Sequence, residues 1–209
     1  KWNGIAKKSG FETDDILTEI KIENKNRPDK DIVYPFALLG AVQRWFYTVD
    51  PGLEGYQSER ERRATILDAA LDPVAQVQQP IKAETLSAFV NTALDEGSFD
   101  KFGVTTFDPN WAFEGQKIGF KYLVVLGFHH DFAEISKAPA PEGGLEVMRQ
   151  YRRAAYGAKY CANWLRNHRW DAEPLTGPMS GKLAMIPAAI KAGFGELGKH
   201  GSLITPEFG

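Results

Sequence analysis

The spacing of apolar residues along the chain predicts an alternation of helices and strands. Apolar side chains three and four positions apart favour amphipathic helices over residues 58–71 and 81–94, and the longest such pattern covers 145–170. The run FKYLVVLGFHHDF, residues 120–132, is apolar with β-branched residues at its centre, which predicts a buried central strand. The predicted apolar faces of the three helices consist of Ala64, Leu67, Ala70 and Leu71; of Leu86, Phe89, Val90 and Ala93; and of Leu145, Met148, Ala155, Cys161 and Leu165.

Shorter segments complete the predicted order. An alternating run over 16–22 favours an edge strand, and the apolar, aromatic segment 35–48 favours a helix that begins at Pro35. KFGVTTFDP predicts a strand ending in a turn, KLAMIPAAIKAG a short helix, and GSLITPEFG a short strand followed by a turn. Helices and strands mixed in this order indicate an α/β or α+β protein.

Composition excludes several classes of protein. Of 209 residues, 43% are hydrophobic and 25% charged, and the formal net charge of −2 gives no broad attraction to nucleic acid. The run SERERRAT, in which acids alternate with arginines, predicts a solvated helical face. No apolar stretch reaches the roughly 18 residues of a membrane-spanning helix, and the first residues lack the apolar core of a signal peptide. Because the chain does not begin with Met, we expect it to start inside a longer parent protein.

The single cysteine, Cys161, limits the redox chemistry of the chain. A disulfide framework is excluded, and so is an iron–sulfur cluster ligated by this chain alone, because such a cluster takes about four thiolates. Cys161 lies among apolar neighbours in AKYCANWL, so we expect a buried core residue rather than a nucleophile.

Three glycines near the end, Gly193-x-Gly195-x-x-Gly198, have the spacing of a dinucleotide-binding fingerprint. That fingerprint needs a strand before its first glycine, a helix after its last, and an acidic residue about 20 positions on. Here a predicted helix precedes the glycines and a predicted strand follows them, and too little chain remains for the acidic residue. We therefore expect Gly193 to end the helix and Gly195 to allow a close backbone approach.

A histidine pair, His129 and His130, followed by Asp131, comes at the end of the best predicted strand. Neighbouring residues of a strand point to opposite faces, so the two imidazoles are not expected to bind one metal ion. A structural role is the favoured interpretation.

Tyrosines and arginines are concentrated in the long predicted helix. Tyr156 and Tyr160 are one turn apart, whereas Tyr151 lies about 140° round the axis from Tyr156. A cation next to a tyrosine favours its phenolate and can make it a proton donor at neutral pH; Arg152 and Arg153 directly follow Tyr151. Amphipathic packing is the alternative, and the residues alone do not decide between the two.

From about residue 99 to 209 the chain resembles the corrinoid-dependent reductive dehalogenases. The resemblance is carried by TFDPNWAF, KYLVVLGFHHDFAEISKAPAP, YRRAAYGAKYCANWLRNHRW and, most specifically, the closing block IPAAIKAGFGELGKHGSLITPEFG. It implies an N-terminal region over 1–98, a nitroreductase-like cobalamin-binding core of mixed sheet and flanking helices over 99–209, and a ferredoxin-like domain with two [4Fe–4S] clusters beyond residue 209.

The same resemblance implies an enzyme, a reductive dehalogenase that cleaves the carbon–halogen bond of an aromatic or alkenyl organohalide. Base-off cobalamin is its cofactor, an external ferredoxin, flavodoxin or reductase supplies electrons, and Tyr151 is the proton donor, with Tyr156 in reserve. The corrinoid's amide-bearing edge or nucleotide tail would contact Gly193, Gly195, Glu196, Gly198, Lys199, Gly201 and Ser202.

Departures from the family pattern leave alternatives open. LTGPMSG lacks the Asn that the family often has there, and Lys199 stands for an Arg. An epoxyqueuosine reductase-like enzyme acting on tRNA is one alternative, although PMSGKLAMIP lacks the acid expected of it; a cobalamin-binding module without catalysis is another. Family members are either exported or cytoplasmic, and the cytoplasm is the preferred expectation.

Overall fold

A long amphipathic helix is the central element of the described part of the chain. The computed structural model describes residues 55–77, 81–138, 140–176, 181–199 and 201–208, all of which lie in one compact unit, Leu53–Gly209. In chain order its elements are α1 (Tyr56–Asp68), α2 (Ala83–Asp95), β1 (Lys101–Thr106), a 3-10 turn (Pro109–Trp111), β2 (Tyr122–Gly127), α3 (Phe132–Ile135), α4 (Pro141–Asn167), α5 (Met185–Lys191), β3 (Glu196–Leu197) and β4 (Leu203–Ile204).

The long helix α4 has the predicted apolar face, but it begins four residues before the predicted range of 145–170 and ends three residues before that range does. It starts at Pro141, because the fixed φ of proline suits the first helical position and its missing N–H is not needed there. Four of the five predicted apolar positions are buried, and the fifth, Leu165, is half-buried. On α2, Phe89 and Ala93 are buried as predicted, with Leu86 and Val90 half-buried.

The first helix does not bury its predicted apolar stripe. In α1 the buried side chains are Tyr56 and Glu59, whereas Ala64 is exposed and Leu67 only half-buried. The reason is an ion pair: Arg152 of α4 binds the Glu59 carboxylate and so turns that face of α1 towards α4. Most of SERERRAT is exposed, as predicted, but its Glu59 is not.

The described sheets are small and antiparallel. β1 pairs with β2 from Lys101 opposite Gly127 to Thr106 opposite Tyr122, and β3 pairs with β4. Within the described residues β2 is therefore one half of a two-stranded sheet, not the buried central strand that its apolar run predicted, and most of it is half-buried. Helices together with antiparallel strands make this part of the protein α+β.

Phe194 holds α5 against the sheet. Phe194 is 3% exposed, and its ring lies over one glycine from each strand: a Cβ added at Gly103 or Gly127 would come 2.7 or 3.1 Å from it. Because glycine has no side chain, these two positions leave a recess that the ring fills. The Lys101 ammonium lies 5.4 Å from the ring centre, close enough for a favourable cation–π contact.

Several predictions concern residues outside those described, namely the strand over 16–22 and the helix over 35–48. The predicted boundary between 98 and 99 stays a prediction. No helix among the described residues is both long enough and apolar enough to cross a membrane.

Candidate functional site

The two candidate proton donors occupy different faces of α4. Tyr151 is half-buried, and the guanidinium of Arg63, from α1, lies 6.0 Å from its ring centre. Tyr156 is 46% exposed and stacks almost parallel on Tyr160, with ring centres 5.8 Å apart. Only Tyr156 is therefore well exposed to a molecule arriving from solvent.

Tyr156 also lines a cleft of about 290 Å³ between the end of α2 and the middle of α4. Its other lining residues are Glu96, Gly97, Ser98, Arg152 and Arg153. The cleft therefore combines a phenol with two guanidinium groups, which is a polar lining suited to donating protons and hydrogen bonds.

Carboxylates from distant parts of the chain fix both guanidinium groups. Arg153 donates from Nη2 to Oδ1 of Asp100 at 2.9 Å and from Nη1 to Oδ2 at 3.1 Å, a bidentate pair. It also donates to the carbonyl of Gly97 at 3.1 Å, and Arg152 binds Glu59. These contacts hold one wall of the cleft rigidly, and they offset part of the positive charge expected beside Tyr151.

Asp100 connects this wall to the loop after β2. Its Oδ2 accepts the backbone N–H of His129 at 2.9 Å, and the His129 Nδ1 lies 2.9 Å from the same oxygen. Burial raises the pKa of Asp100, but the hydrogen bonds from Arg153 and His129 outweigh it, and the pKa lies below its usual value of 3.8.

The two histidines lie in the loop after β2, which ends at Gly127, so the prediction from strand geometry that they point to opposite faces does not apply. Each has its own carboxylate partner. The Nδ1 of His130 lies 3.5 Å from Glu146, whereas His129 faces Asp100. Glu146 is 2% exposed and accepts hydrogen bonds from the Asp131 backbone and from Gln150. The described residues contain no group of three or more His, Cys, Asp or Glu side chains placed to hold a metal ion.

The glycine-rich block forms a helix stop followed by a hairpin. Gly193 has φ +79°, its N–H donates to Ile190, and the N–H of Phe194 donates to Ala189; this is the Schellman arrangement that ends helices. A Cβ on Gly195 would lie 1.9 Å from the carbonyl oxygen of Ile204. Both sequence predictions are confirmed: Gly193 caps α5 and Gly195 permits a close approach, here to the backbone of β4.

The predicted cofactor-binding residues that follow form the turn between β3 and β4. The N–H of Gly198 donates to Ser202 at 2.8 Å, and that of Gly201 donates to Gly198 at 2.9 Å. Glu196 and Lys199 are exposed. The turn thus uses its own N–H groups internally and leaves charged side chains facing outwards.

An apolar groove of about 680 Å³ borders this turn. It is lined by Ala184, Met185, Ile186, Pro187, Ile190, Lys191 and Leu197. Met185 and Leu197 are 51% and 62% exposed, so apolar surface stands uncovered directly beside Glu196 and Gly198.

The structure does not bring all the predicted site residues into one cavity. The cleft contains Tyr156 but none of the seven predicted cofactor-binding residues, and the groove contains neither Tyr151 nor Tyr156. Cys161 is 4% exposed, and burial raises its pKa to about 12. It is an inert core thiol, as the sequence indicated.

Sequence reasoning missed Asp100 and Glu59, the two carboxylates that fix the cleft arginines. They lie 53 and 93 positions from their partners, so no local pattern reveals the pairing. The signal in the sequence that could have indicated carboxylate partners was the pair of adjacent arginines, Arg152 and Arg153, in a helix that is otherwise half apolar.

Comparison with known proteins gives a partial match. No family model matches the chain. Over 118 residues, 56% of the chain, it is 32% identical to proteins named tetrachloroethene reductive dehalogenase from Desulfitobacterium hafniense and from Dehalobacter restrictus. The chain covers 20% of the length of these relatives. The chain is therefore similar to about a fifth of the length of these reductive dehalogenases.

Proposed function

We propose that this chain is part of a cobalamin-dependent reductive dehalogenase that removes halogen from an aromatic or alkenyl organohalide. The 118-residue similarity to tetrachloroethene reductive dehalogenases is the observation that carries the proposal. The nitroreductase-like arrangement implied by the sequence resemblance, and a supply of electrons from an external donor, belong to the same proposal.

The apolar groove and the β3–β4 turn fit a corrinoid. A corrin ring has broad apolar faces and an edge of amide groups, and the groove offers apolar side chains next to exposed Glu196 and Lys199. The N–H groups of Gly198 and Gly201 are used within the turn, and the exposed carboxylate of Glu196 would accept amide protons of the corrinoid. When bound, a reduced corrinoid supplies the electrons that cleave the carbon–halogen bond.

A [4Fe–4S] cluster does not fit the residues of this chain. Such a cluster takes about four thiolates, and the single Cys161 is buried with its pKa raised to about 12. No step of the proposed reaction is therefore assigned to a cluster held by these residues.

The proton that the substrate carbon takes up when halide leaves is assigned to a tyrosine of α4. The family resemblance points to Tyr151; the exposure of Tyr156 and its position in the arginine-lined cleft favour Tyr156. Either phenol can deliver a proton and be recharged from solvent.

The test combines a binding assay with a turnover assay. We expect hydroxocobalamin added to the protein to change its visible spectrum, and the reconstituted protein to release halide from a chlorinated ethene or phenol under a strong chemical reductant. Tyr151→Phe and Tyr156→Phe are compared with Tyr122→Phe, an exposed tyrosine on β2 outside both cavities. The catalytic acid is the tyrosine whose loss abolishes halide release while the cobalamin spectrum stays unchanged.

Three outcomes contradict parts of the proposal. If no spectral change occurs and no corrinoid co-purifies, the cobalamin assignment is wrong. If cobalamin binds but no organohalide releases halide, the chain is a cobalamin-binding module instead. Equal turnover in all three tyrosine variants would remove the assignment of the acid to α4.

A further inference from the structure

Aromatic side chains recur at every fourth residue along one face of α4. Tyr156, Tyr160, Trp164 and His168 are neighbours there because residues four apart lie above one another on a helix. Tyr156 stacks on Tyr160 at 5.8 Å between ring centres, with 9° between planes, and the ring centres of Trp164 and His168 are 4.2 Å apart.

Phe89 of α2 links the two halves of this row. Its ring centre lies 5.4 Å from that of Tyr160 and 4.3 Å from that of Trp164, where the planes are 17° apart. Phe89 is 7% exposed, so it is a fixed part of the core. The five rings form one continuous series, the aromatic ladder. Its members from Tyr156 to His168, the residue that caps α4, span about 18 Å at 1.5 Å per residue.

The residues of the ladder differ in how readily they are oxidised. Tryptophan and tyrosine are the aromatic side chains that lose one electron most readily, whereas phenylalanine resists oxidation and can only bridge. The half-buried Trp164 lies against the core, and the tyrosines follow in sequence until Tyr156, which is 46% exposed at the cleft. At neutral pH a neutral indolyl radical oxidises a phenol. Transfer of the oxidising equivalent from Trp164 to the tyrosines is therefore favourable, and it proceeds towards the surface.

We propose that the aromatic ladder moves an oxidising equivalent from Trp164 to Tyr156 at the cleft. A diffusible one-electron radical oxidant takes an electron from Trp164 and becomes its anion, while the indole N–H proton passes to water. Tyr160 then gives an electron to the Trp164 radical across Phe89; the phenolic proton goes to solvent, and the indole nitrogen regains one. Tyr156 reduces the Tyr160 radical in the same way, and a thiol in solution restores Tyr156 by giving a hydrogen atom and becoming a thiyl radical.

The surroundings of Tyr160 suit this relay. Burial raises the pKa of Tyr160, and the charge of Glu96 and the neighbouring Tyr156 act in the same direction. Tyr160 is therefore a neutral phenol at physiological pH, and the nearby negative charge of Glu96 stabilises the electron-deficient ring. The relay would remove oxidation damage from the core, and it does not depend on the dehalogenase function.

Pulse radiolysis of the full chain tests the relay. Azide radicals oxidise tryptophan selectively, and the indolyl and tyrosyl radicals are followed by their separate absorption bands. We expect indolyl decay to match tyrosyl growth in a phase whose rate is independent of protein concentration. Trp164→Phe and Tyr160→Phe should abolish this phase, whereas Trp111→Phe, outside the ladder, should retain it.

A change at Phe89, the bridging ring, tests the relay most directly. Phe89→Leu keeps both redox partners and should abolish the phase, whereas Phe99→Leu makes the same change at a core position off the ladder and should retain it. An unchanged phase in Phe89→Leu, or a rate that rises with protein concentration, would overturn the proposal. Circular dichroism of each variant verifies that it is folded, and Tyr160→Phe, which removes only a hydroxyl, keeps the test decisive if Phe89→Leu unfolds.

Discussion

Replacing Gly195 by alanine tests whether the glycine-rich block serves the fold of this chain. The new Cβ would lie 1.9 Å from the Ile204 carbonyl oxygen, and real Cβ contacts are essentially never shorter than 3.0 Å. The two backbones would have to separate by the difference, about 1.1 Å. That movement disrupts the β3–β4 pairing, in which Glu196 lies opposite Ile204.

The expected cost follows from these contacts. Overpacking costs about 1–3 kcal/mol, and each ladder hydrogen bond lost adds about 1 kcal/mol, so Gly195→Ala should destabilise the hairpin by roughly 2–4 kcal/mol. Gly193→Ala is the matched control: its Cβ would meet nothing within 4 Å, although its φ is +79°. It should cost only the left-handed backbone strain of about 1–2 kcal/mol.

Urea unfolding followed by far-ultraviolet circular dichroism measures the global effect, and hydrogen exchange at the Gly198 amide, which is bonded to Ser202, reports the hairpin. We expect Gly195→Ala to lower protection at Gly198 more than Gly193→Ala does. If Gly195→Ala instead keeps wild-type protection and urea midpoint but loses cobalamin binding, the glycine serves the cofactor alone and the packing argument fails.

Two further predictions concern titrating groups. Burial raises the pKa of Cys161 to about 12. We therefore expect Cys161 to be alkylated at pH 8 only to the extent that urea unfolds the chain. Fast labelling of the folded chain would contradict the burial. Asp100 has a lowered pKa, so its contribution to stability is present above pH 3.8 and is lost as the pH falls through the folded value. The urea midpoints of wild type and Asp100→Asn should therefore differ at neutral pH and converge in acid, and a constant difference would rule out the Arg153 pair as its source.

Local patterns predicted the elements whose stability is local. The helix α4 was visible because its apolar positions repeat over many turns, and α5 because the helix-stop glycine follows it directly. The short helix α3 was not predicted; it begins at Phe132, the last residue of the predicted strand run. Asp131 and Glu134 have capping-box spacing, and the Asp131 carboxylate does accept the N–H of Ala133.

Long-range contacts account for the remaining errors. The buried face of α1 depends on the pairing of Glu59 with Arg152, and the cleft depends on that of Asp100 with Arg153. A charged residue in the sequence looks the same whether it is solvated or paired across the fold, so its partner has to be known before its burial can be predicted.

The position of the glycine block relative to α5 also determines which ligand groups it can meet. A pyrophosphate is held by the free N–H groups at a helix N-terminus, where the dipole is positive. Gly193 stands instead at the C-terminal end of α5, whose partial charge is negative, and the N–H groups of Gly193, Gly198 and Gly201 are already bonded. The block is therefore unsuited to phosphate, whereas the exposed Glu196 carboxylate can accept hydrogen bonds. Neutral amide donors, such as those at the edge of the proposed corrinoid, would meet the exposed Glu196 carboxylate here.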